Sequence, residues 1–456
     1  MKKLIIISLL SATLNSCGLF SKYEATEEVR SDLYGSIGNK GGSSEIELGK
    51  LSWKEMFTDT KLQALISEAL ESNSDLLAAH ENINIAEANL KSARLSYLPT
   101  LSLSPYISSI ATPDQSTKYR NYSLPVSASW EIDLFGRITN QKESAKMLFE
   151  ESEAYEQAVK TQIVASVANS YYTLLMLDSQ IAIVKATEKS LKESVTAAEA
   201  LKEAGMMSDA GLAQLEASYF ATKTQIIELK RQTKQTENAL CLILASSPRQ
   251  ISRGSFSSQS FPRKFSIGVP VNMLASRPDV RMAERALAQS FYGVNIARSS
   301  LYPSLSLSGS MGWTNGSGSV VLDPAGLLYN LMASLAAPLF NQGKNRAAVD
   351  IAKAQQEQAK IAFQQKLLEA GSEVNDALTL YQSSSQKAGL YKKQLAALEL
   401  AVRSTQLTMN YGSTTYLEVL TAQQSRLSAE LELTANDLAR VQALITLYNA
   451  LGGGAF

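Results

Sequence analysis

The sequence offers few residues that could do chemistry. Its single histidine, His80, stands in "LLAAHENINIAEA" with no cysteine or second histidine at ligand spacing, so no metal site is expected. Cys241, in "NALCLILA", reads as a small buried thiol. Glu131 and Asp133, two apart in "SASWEIDLFGR", are the pair of acids to test as a general acid and base. They fall on one face of a predicted strand, where tuning the local field or pairing with strand neighbours accounts for them better than catalysis. The other acids are spread along helical runs as solvated faces or i,i+4 partners. No G-x-S-x-G, Walker or dinucleotide fingerprint appears. No catalytic residue, cofactor or enzymatic activity is expected. The 43 basic residues equal the 43 acidic ones, so no charge excess steers the chain towards nucleic acid.

One cysteine does sit in a reactive context. "MKKLIIISLLSATLNSCGLF" has two lysines, an apolar run from Leu4 to Leu10, small residues and then Cys17, the layout of an export signal. Leu14-Asn15-Ser16-Cys17 resembles the lipobox of bacterial lipoproteins, which makes residues 1–16 a cleaved leader and Cys17 the acylated first residue. Gly18 after it, in place of Asp, implies sorting to the outer membrane. The alternative is an ordinary leader with an incidental cysteine. With Cys17 acylated, Cys241 has no partner, so disulfides are not part of the fold.

The elements around these residues are long. The 11 Pro and 24 Gly cluster in a few places. The intervals between, rich in Ala, Leu, Gln, Glu and Lys, predict long helices. After the leader no run of 18 apolar residues could form a membrane-spanning helix. The chain also repeats itself. "EANLKSARLSYLPTLSLSPYI" matches "YGVNIARSSLYPSLSLSGSM" in pattern, and "SASWEIDLFGR" is echoed by "MASLAAPLFNQGK". The offset is about 204 before the hairpins and about 207 after them, too long for a solenoid and right for a duplicated half-protein. The halves are residues 53–248 and 271–456. Each begins with a helical run (Lys54 to Tyr97, Val271 to Tyr302), followed by a strand–loop–strand unit at 98–135 or 302–340. A very long helix then runs to Gly205 or Gly412, and a shorter one returns. Residues 17–52 form an extended N-terminal segment and 249–270 a linker. The Ser/Gly-rich stretches 18–50 and 249–270 are expected to run over the surface.

Four strands are expected, two per half. In one, Tyr122, Leu124, Val126, Ala128, Trp130, Ile132 and Leu134 alternate with Ser123, Pro125, Ser127, Ser129, Glu131 and Asp133. The period of two puts apolar groups on one face and polar ones on the other. Leu305, Leu307, Gly309, Met311 and Trp313 alternate with serines in the same way, as do alternate residues from Leu327 to Ala337. The first strand is interrupted by Pro105. This pattern fits either a membrane β-barrel with an aqueous lumen or a soluble sandwich with one wet face. Four strands cannot close a membrane barrel, whose smallest examples have about eight. Entry into lipid therefore requires several chains to share one barrel.

The long helices carry a heptad. Val164, Val167, Tyr171, Leu174, Ile181, Val184, Leu191 and Val195 step by three and four in one copy. Leu367, Ala370, Val374, Ala377, Tyr381, Ser384, Ala388, Tyr391, Leu395, Leu398 and Val402 do so in the other. A sustained 3.5-residue repeat means coiled-coil packing. At 1.5 Å per residue, each run ending at its Gly would extend roughly 100 Å.

With "WEIDLFGR" at Trp130–Arg137, "ASRPDVRMAE" at Ala275–Glu284, "YPSLSLSGSMG" at Tyr302–Gly312 and Gly-centred turns at Gly205 and Gly412, the chain resembles the TolC-like outer-membrane factors. More narrowly it resembles their lipoprotein branch in efflux pumps, from about Trp53 to Leu451. The residues of "RPD" have a structural reading of their own: Pro278 suits a first helical turn and Asp279 a helix N-terminus. The resemblance implies an α+β membrane protein. Long antiparallel coiled-coil helices would form a periplasmic α-barrel, and four strands per chain would contribute to a shared 12-stranded outer-membrane β-barrel in a homotrimer. Such a protein is a passive duct working with a periplasmic adaptor and an inner-membrane transporter, anchored in outer-membrane lipid through Cys17. The turns at Gly205 and Gly412 would meet the adaptor at the periplasmic tip and form the closed gate. This chain carries Thr408, Met409 and Thr421 where the family's ionic latch stands, so the gate or tip charge passes to Asp209 or Glu418. Glu131 and Asp133 would face the lumen without acidic counterparts in the second copy. Two other functions remain: the same duct serving type I protein secretion, and a periplasmic coiled-coil adaptor or scaffold lipoprotein.

Overall fold

The computed structural model describes residues 20–24, 46–110, 119–261, 265–266, 276–315, 327–410 and 416–454. In chain order its elements are β1 (Ile46–Glu47), α1 (Trp53–Met56), α2 (Thr60–Ser72), α3 (Ser74–Leu95), β2 (Thr100–Leu103), β3 (Tyr106–Ile110) and β4 (Tyr119–Ile132). There follow α4 (Arg137–Glu203), α5 (Asp209–Ile243), β5 (Phe265–Ser266), α6 (Pro278–Ser299), β6 (Ser304–Asn315), β7 (Leu327–Ala336), α7 (Lys344–Asn410) and α8 (Tyr416–Ala450). They fall into two units. The sheet unit takes its described residues from 1–27, 81–154 and 281–365, and the helical unit from 28–80, 155–280 and 366–456.

The duplication is visible residue for residue. α3 and α6 both span 22 residues and begin 204 apart. α4 and α7 both span 67 residues and α5 and α8 both span 35, each pair beginning 207 apart.

In the sheet unit, β2 and β3 both pair with β4, β4 with β6, and β6 with β7, all antiparallel. The expected first strand is thus two strands, broken at Ser104–Pro105. Ser104 N donates to Pro125 O at 3.2 Å, so Pro125 turns its backbone towards the break and has no N–H to give there. Across β4, Gly312 lies opposite Pro125. A Cβ there would stand 2.5 Å from Leu124 O and 2.6 Å from Pro125 Cα, so only glycine fits. The alternation read in the sequence is kept in line by the register. Leu101 faces Ala128, Trp130 faces Leu307, Leu307 faces Ala333 and Met311 faces Tyr329. Directly opposed residues share a face. One face is therefore continuously apolar, while the other carries Ser127 against Ser310, Ser129 against Ser308 and Ser306 against Ser334.

The helical unit holds the large core. Phe57, Leu62, Ile66, Tyr171, Tyr172, Leu174 and Tyr448 are almost wholly buried together. The expected single run from Lys54 to Tyr97 is three helices. Asp59 caps α2 through Lys61 N, and Asn73 separates α2 from α3 with its Oδ1 accepting from Asp75 N and Leu76 N. The heptad seam is buried at Val164, Val167, Tyr171, Leu174, Val184 and Leu191. In the second copy it is buried at Leu367, Ala370, Val374, Ala377, Ser384, Ala388 and Val402. Tyr391, Leu395 and Leu398, towards the far end of α7, are only half-buried.

The stretches expected to run over the surface do not all do so. Leu48 is fully buried, Ile251 nearly so, and β1 pairs in parallel with β5. Their Ser/Gly-rich composition concealed isolated apolar anchors and one arginine. Arg253 Nε and Nη2 hold Asp178 at 2.6 and 2.9 Å, and Nη1 holds Glu237 at 2.7 Å.

Candidate functional site

The sheet presents apolar side chains that nothing among the described residues covers. Leu331 is 89% exposed, Tyr329 85% and Leu101 73%. β7 on one side and β2 with β3 on the other have no further strand among the described residues. At the start of β2, Trp130 Nε1 donates to Tyr97 O at 2.8 Å. Near the start of β6, Phe135 stacks on Tyr302 with centroids 5.0 Å apart. Aromatic rings with a polar handle at the end of an apolar band suit a membrane–water boundary.

Below this band the sheet hands over to helix. Glu131, still in β4, is held in a two-pronged ion pair by Arg137, its Oε1 2.8 Å from Arg137 Nε. Asp133 lies past the strand end, where its carboxylate accepts from Ile138 N at 3.1 Å, Thr139 N at 2.8 Å and Thr139 Oγ1 at 2.7 Å. It satisfies free amides of the first turn of α4 and complements the positive end of that helix. These two acids line a cleft of about 580 Å³ with Tyr302, Asn341 and Asn345. Against the same junction packs the N-terminal segment: a Cβ on Gly136 would meet Phe20 at 3.5 Å. Tyr23 meets Phe291 edge-on, 5.8 Å between centroids. Cys17 and Gly412 lie outside the described residues.

At the far end of α4, in the helical unit, Gly205 has φ +72°. Met206 N donates to Leu201 O at 2.8 Å and Gly205 N to Lys202 O at 2.9 Å, a left-handed helix stop that favours glycine. Ser208 caps α5. Lys202 Nζ reaches Asp209 at 2.7 Å, and that contact holds the exposed Asp209 carboxyl below its usual range. Glu418 occupies the first turn of α8. His80 Nδ1 stands 3.9 Å from Glu156. Among the described residues no group of three or more His, Cys, Asp or Glu side chains could hold a metal, and no helix is long and apolar enough to cross a membrane.

One site escaped the sequence reading in its details. Arg277, in "SRPD", is buried. It grips Asp279 through two nitrogens at 3.0 and 2.8 Å, Glu373 at 2.7 Å and the last carbonyl of α8, Ala450 O, at 2.8 Å. Burial pushes the Asp279 carboxyl up, but Arg277 and Lys366 outweigh it and leave it below its usual value. The offset of 204 puts Asn73 at the same place in the first copy, and Asn73 Nδ2 holds the last carbonyl of α5, Ile243 O, at 2.8 Å. Aligning the two halves at this point is the signal that would have found both clasps.

Comparison with known proteins gives a consistent result. A family described as outer membrane efflux protein matches residues 65–246 and 269–453. The cation efflux system protein CusC of Escherichia coli O6:H1 is 30% identical over 88% of this chain and 88% of its own length. The solvent efflux pump outer membrane protein SrpC of Pseudomonas putida is 27% identical over 97% of this chain and 96% of its own. The open-state structure of the MtrE outer membrane channel of Neisseria gonorrhoeae superposes with a TM-score of 0.87 at 27% identity, covering 96% of this chain and 99% of that one.

Proposed function

The chain belongs to the outer membrane efflux protein family, and we propose that three copies of it form the outer-membrane duct of a tripartite efflux system, conducting passively. The observation that carries this reading is the sheet: among the described residues one face is apolar and uncovered, the other carries the serines, and both edges are open. In lipid an open edge costs several kcal/mol for each unpaired backbone group. The smallest closed membrane barrels have about eight strands, so one copy falls short and three suffice. The serine face then lines the water-filled interior, with Glu131 and Asp133 at its periplasmic mouth.

The partners in this reading are a periplasmic adaptor and an inner-membrane transporter. The turns at Gly205 and Gly412 meet the adaptor, and Asp209 or Glu418 supplies the gate or tip charge. The lipid anchor is Cys17. It stands three residues before Phe20, which rests against Gly136 where strand passes to helix. The relatives are named for cations and for solvents, so membership of the family does not select a cargo.

The test is purification in detergent, mass measurement and single-channel recording. The expected result is a particle of three chains with discrete conductance steps. A monomer released without detergent would refute the reading. Cys17→Ser is expected to abolish lipid labelling, and undiminished labelling would remove the anchor from it.

A further inference from the structure

The two places where strand passes to helix share a backbone plan but carry opposite charge. The hairpin registers fix which residues correspond. Leu101 faces Ala128 in the first half, and its equivalent Leu305 faces Leu335 in the second, so Leu335 corresponds to Ala128, a step of 207. α4 and α7 begin at Arg137 and Lys344, also 207 apart. Gly136 and Gly343, which precede them, both have positive φ, +69° and +80°. The shared Leu-Phe of "DLFGR" and "PLFNQGK" suggests a step of 205 instead. In backbone terms Leu339 and Phe340 stand where Ile132 and Asp133 do, and a displacement of two keeps each side chain on its face.

The second junction has therefore lost its acids. Pro338 replaces Glu131 and Phe340 replaces Asp133, while Lys344 stands for Arg137 and Arg346 for Thr139. Arg137 is held by Glu131. Lys344 and Arg346 are exposed and, among the described residues, have no ion-pair partner. The first turn of α7 holds no acid; the nearest one along the helix is Asp350, a turn further from the sheet. The first junction is also covered by the chain itself, with Phe20 3.5 Å from where a Cβ on Gly136 would stand. Among the described residues, a Cβ on Gly343 would meet nothing within 4 Å. Leu339 is 96% exposed and Phe340 87%, and Leu339 continues the odd-numbered row of Leu331 and Leu335 on the apolar face.

Resting on the reading of that face as lipid-facing, we infer that the second junction binds an anionic glycerophospholipid, from the leaflet on the helix side of the sheet. Leu339 and Phe340 enter the acyl region under the headgroups, and Lys344 and Arg346 hold the phosphate. Side chains on a helix lean towards its N-terminus, so both long cations in the first turn of α7 reach back to the level of the loop, whichever flank they leave from. Leucine and phenylalanine beside two bases is the composition that binds an anionic bilayer surface. A second copy adding strands at the sheet edge extends the sheet sideways and leaves this face bare, so lipid is what covers Leu339. The first junction, with two acids to one base, has no such preference.

Each base beside an anionic lipid surface is worth about fivefold in affinity, so the pair should give more than about tenfold. The experiment delipidates the full-length protein in detergent and titrates it with phosphatidylglycerol or phosphatidylcholine of the same acyl chains. Native mass spectrometry reads the protein mass and the bound lipid together. Wild type is expected to favour phosphatidylglycerol by at least about tenfold. Lys344→Gln with Arg346→Gln should remove the preference, while Lys353→Gln with Lys360→Gln, further along the same helix, should keep it. Leu339→Ser with Phe340→Ser should weaken both lipids by a similar factor. In a sample of trimeric mass, three results overturn the inference and leave the shared duct intact: equal binding of the two lipids by wild type, a preference that survives Lys344→Gln with Arg346→Gln, or one lost equally with Lys353→Gln and Lys360→Gln. Undiminished binding of both lipids by Leu339→Ser with Phe340→Ser puts the apolar pair under protein rather than lipid, and overturns it too. A monomeric wild type overturns the duct and the lipid site together.

Discussion

Arg253 and Arg249 hold carboxylates at the same 2.6 Å, yet replacing them should have very different consequences. The Arg253 side chain is 11% exposed, and its partner Glu237 6%. Besides Arg253, Glu237 has a long contact to Lys234 at 3.5 Å and a backbone amide, Ile251 N, at 3.4 Å. Arg253→Met therefore leaves a buried carboxylate almost unpaired, which costs about 3–5 kcal/mol. Arg249 is 47% exposed and its partner Glu68 37%, so Arg249→Met costs less than about 1 kcal/mol. Hydrogen exchange reads the difference locally. Gly254 N donates to Tyr171 Oη at 3.0 Å and is freed when the segment around Arg253 lifts away. A loss of about 3 kcal/mol accelerates its exchange by more than about a hundredfold if opening is local. Adding Glu237→Leu to Arg253→Met should restore most of the protection, because removing the two buried charges together is close to neutral, while Asp178, 42% exposed, keeps its water. Equal acceleration by Arg249→Met, or none by Arg253→Met, would refute the reasoning that burial rather than distance sets the value of these pairs.

Other expectations follow from the same geometry. Burial pushes the Asp59 carboxyl up, but hydrogen bonds from Gln259, Tyr171 and the amide of Lys61 outweigh it and leave it below its usual value. Its stabilising contribution is complete above the unfolded pKa of about 3.9 and is lost as pH falls through the lower folded value. The stability advantage of wild type over Asp59→Asn should shrink in denaturation curves taken below about pH 4; an advantage unchanged at pH 2 would contradict this. Leu331→Arg on the apolar face should cost about 2–4 kcal/mol in lipid and reduce the membrane-extracted multimer, whereas a water-facing sheet would tolerate it. Gly205→Val forces a β-branched residue into the left-handed region at about 1–2 kcal/mol, while Gly205→Asn should be tolerated. Adaptor cross-linking that treats the two variants alike would remove Gly205 from the tip. Arg277→Met strands part of a buried ion cluster and should lower thermal stability more than Asn73→Ala at the equivalent neutral clasp; the opposite order would contradict the accounting of charge.

Periodicity was the legible part of this chain. The seam residues Val167, Tyr171, Val374 and Ala377 announce their burial because the same spacing recurs for many turns, and the strands announce their faces because the period is two. Breaks were legible where proline or glycine marked them, as at Pro105 and Gly205. Asn73, which ends one helix and begins the next, looks like any polar helical residue until its partners across 170 residues are known. The Arg253 pairs were hidden for the same reason, since Asp178 is 75 residues away. The Leu-Phe echo misled by two positions: side-chain similarity finds related residues, but strand equivalence is fixed by the hydrogen-bond ladder. Gly312 was readable as part of the strand, but the proline opposite that requires it was not.

The bare sheet also carries a consequence for how the protein is made. A newly exported chain must cross a watery compartment with its apolar face uncovered and two strand edges unpaired, a template for mispairing with any other extended chain. The helical unit has its own buried core, so it has a means of holding structure before the sheet finds lipid. Helices that settle before the strands would keep the chain ordered while those edges wait for partners. In the proposed assembly, the rate at which copies find one another sets how long the hazard lasts.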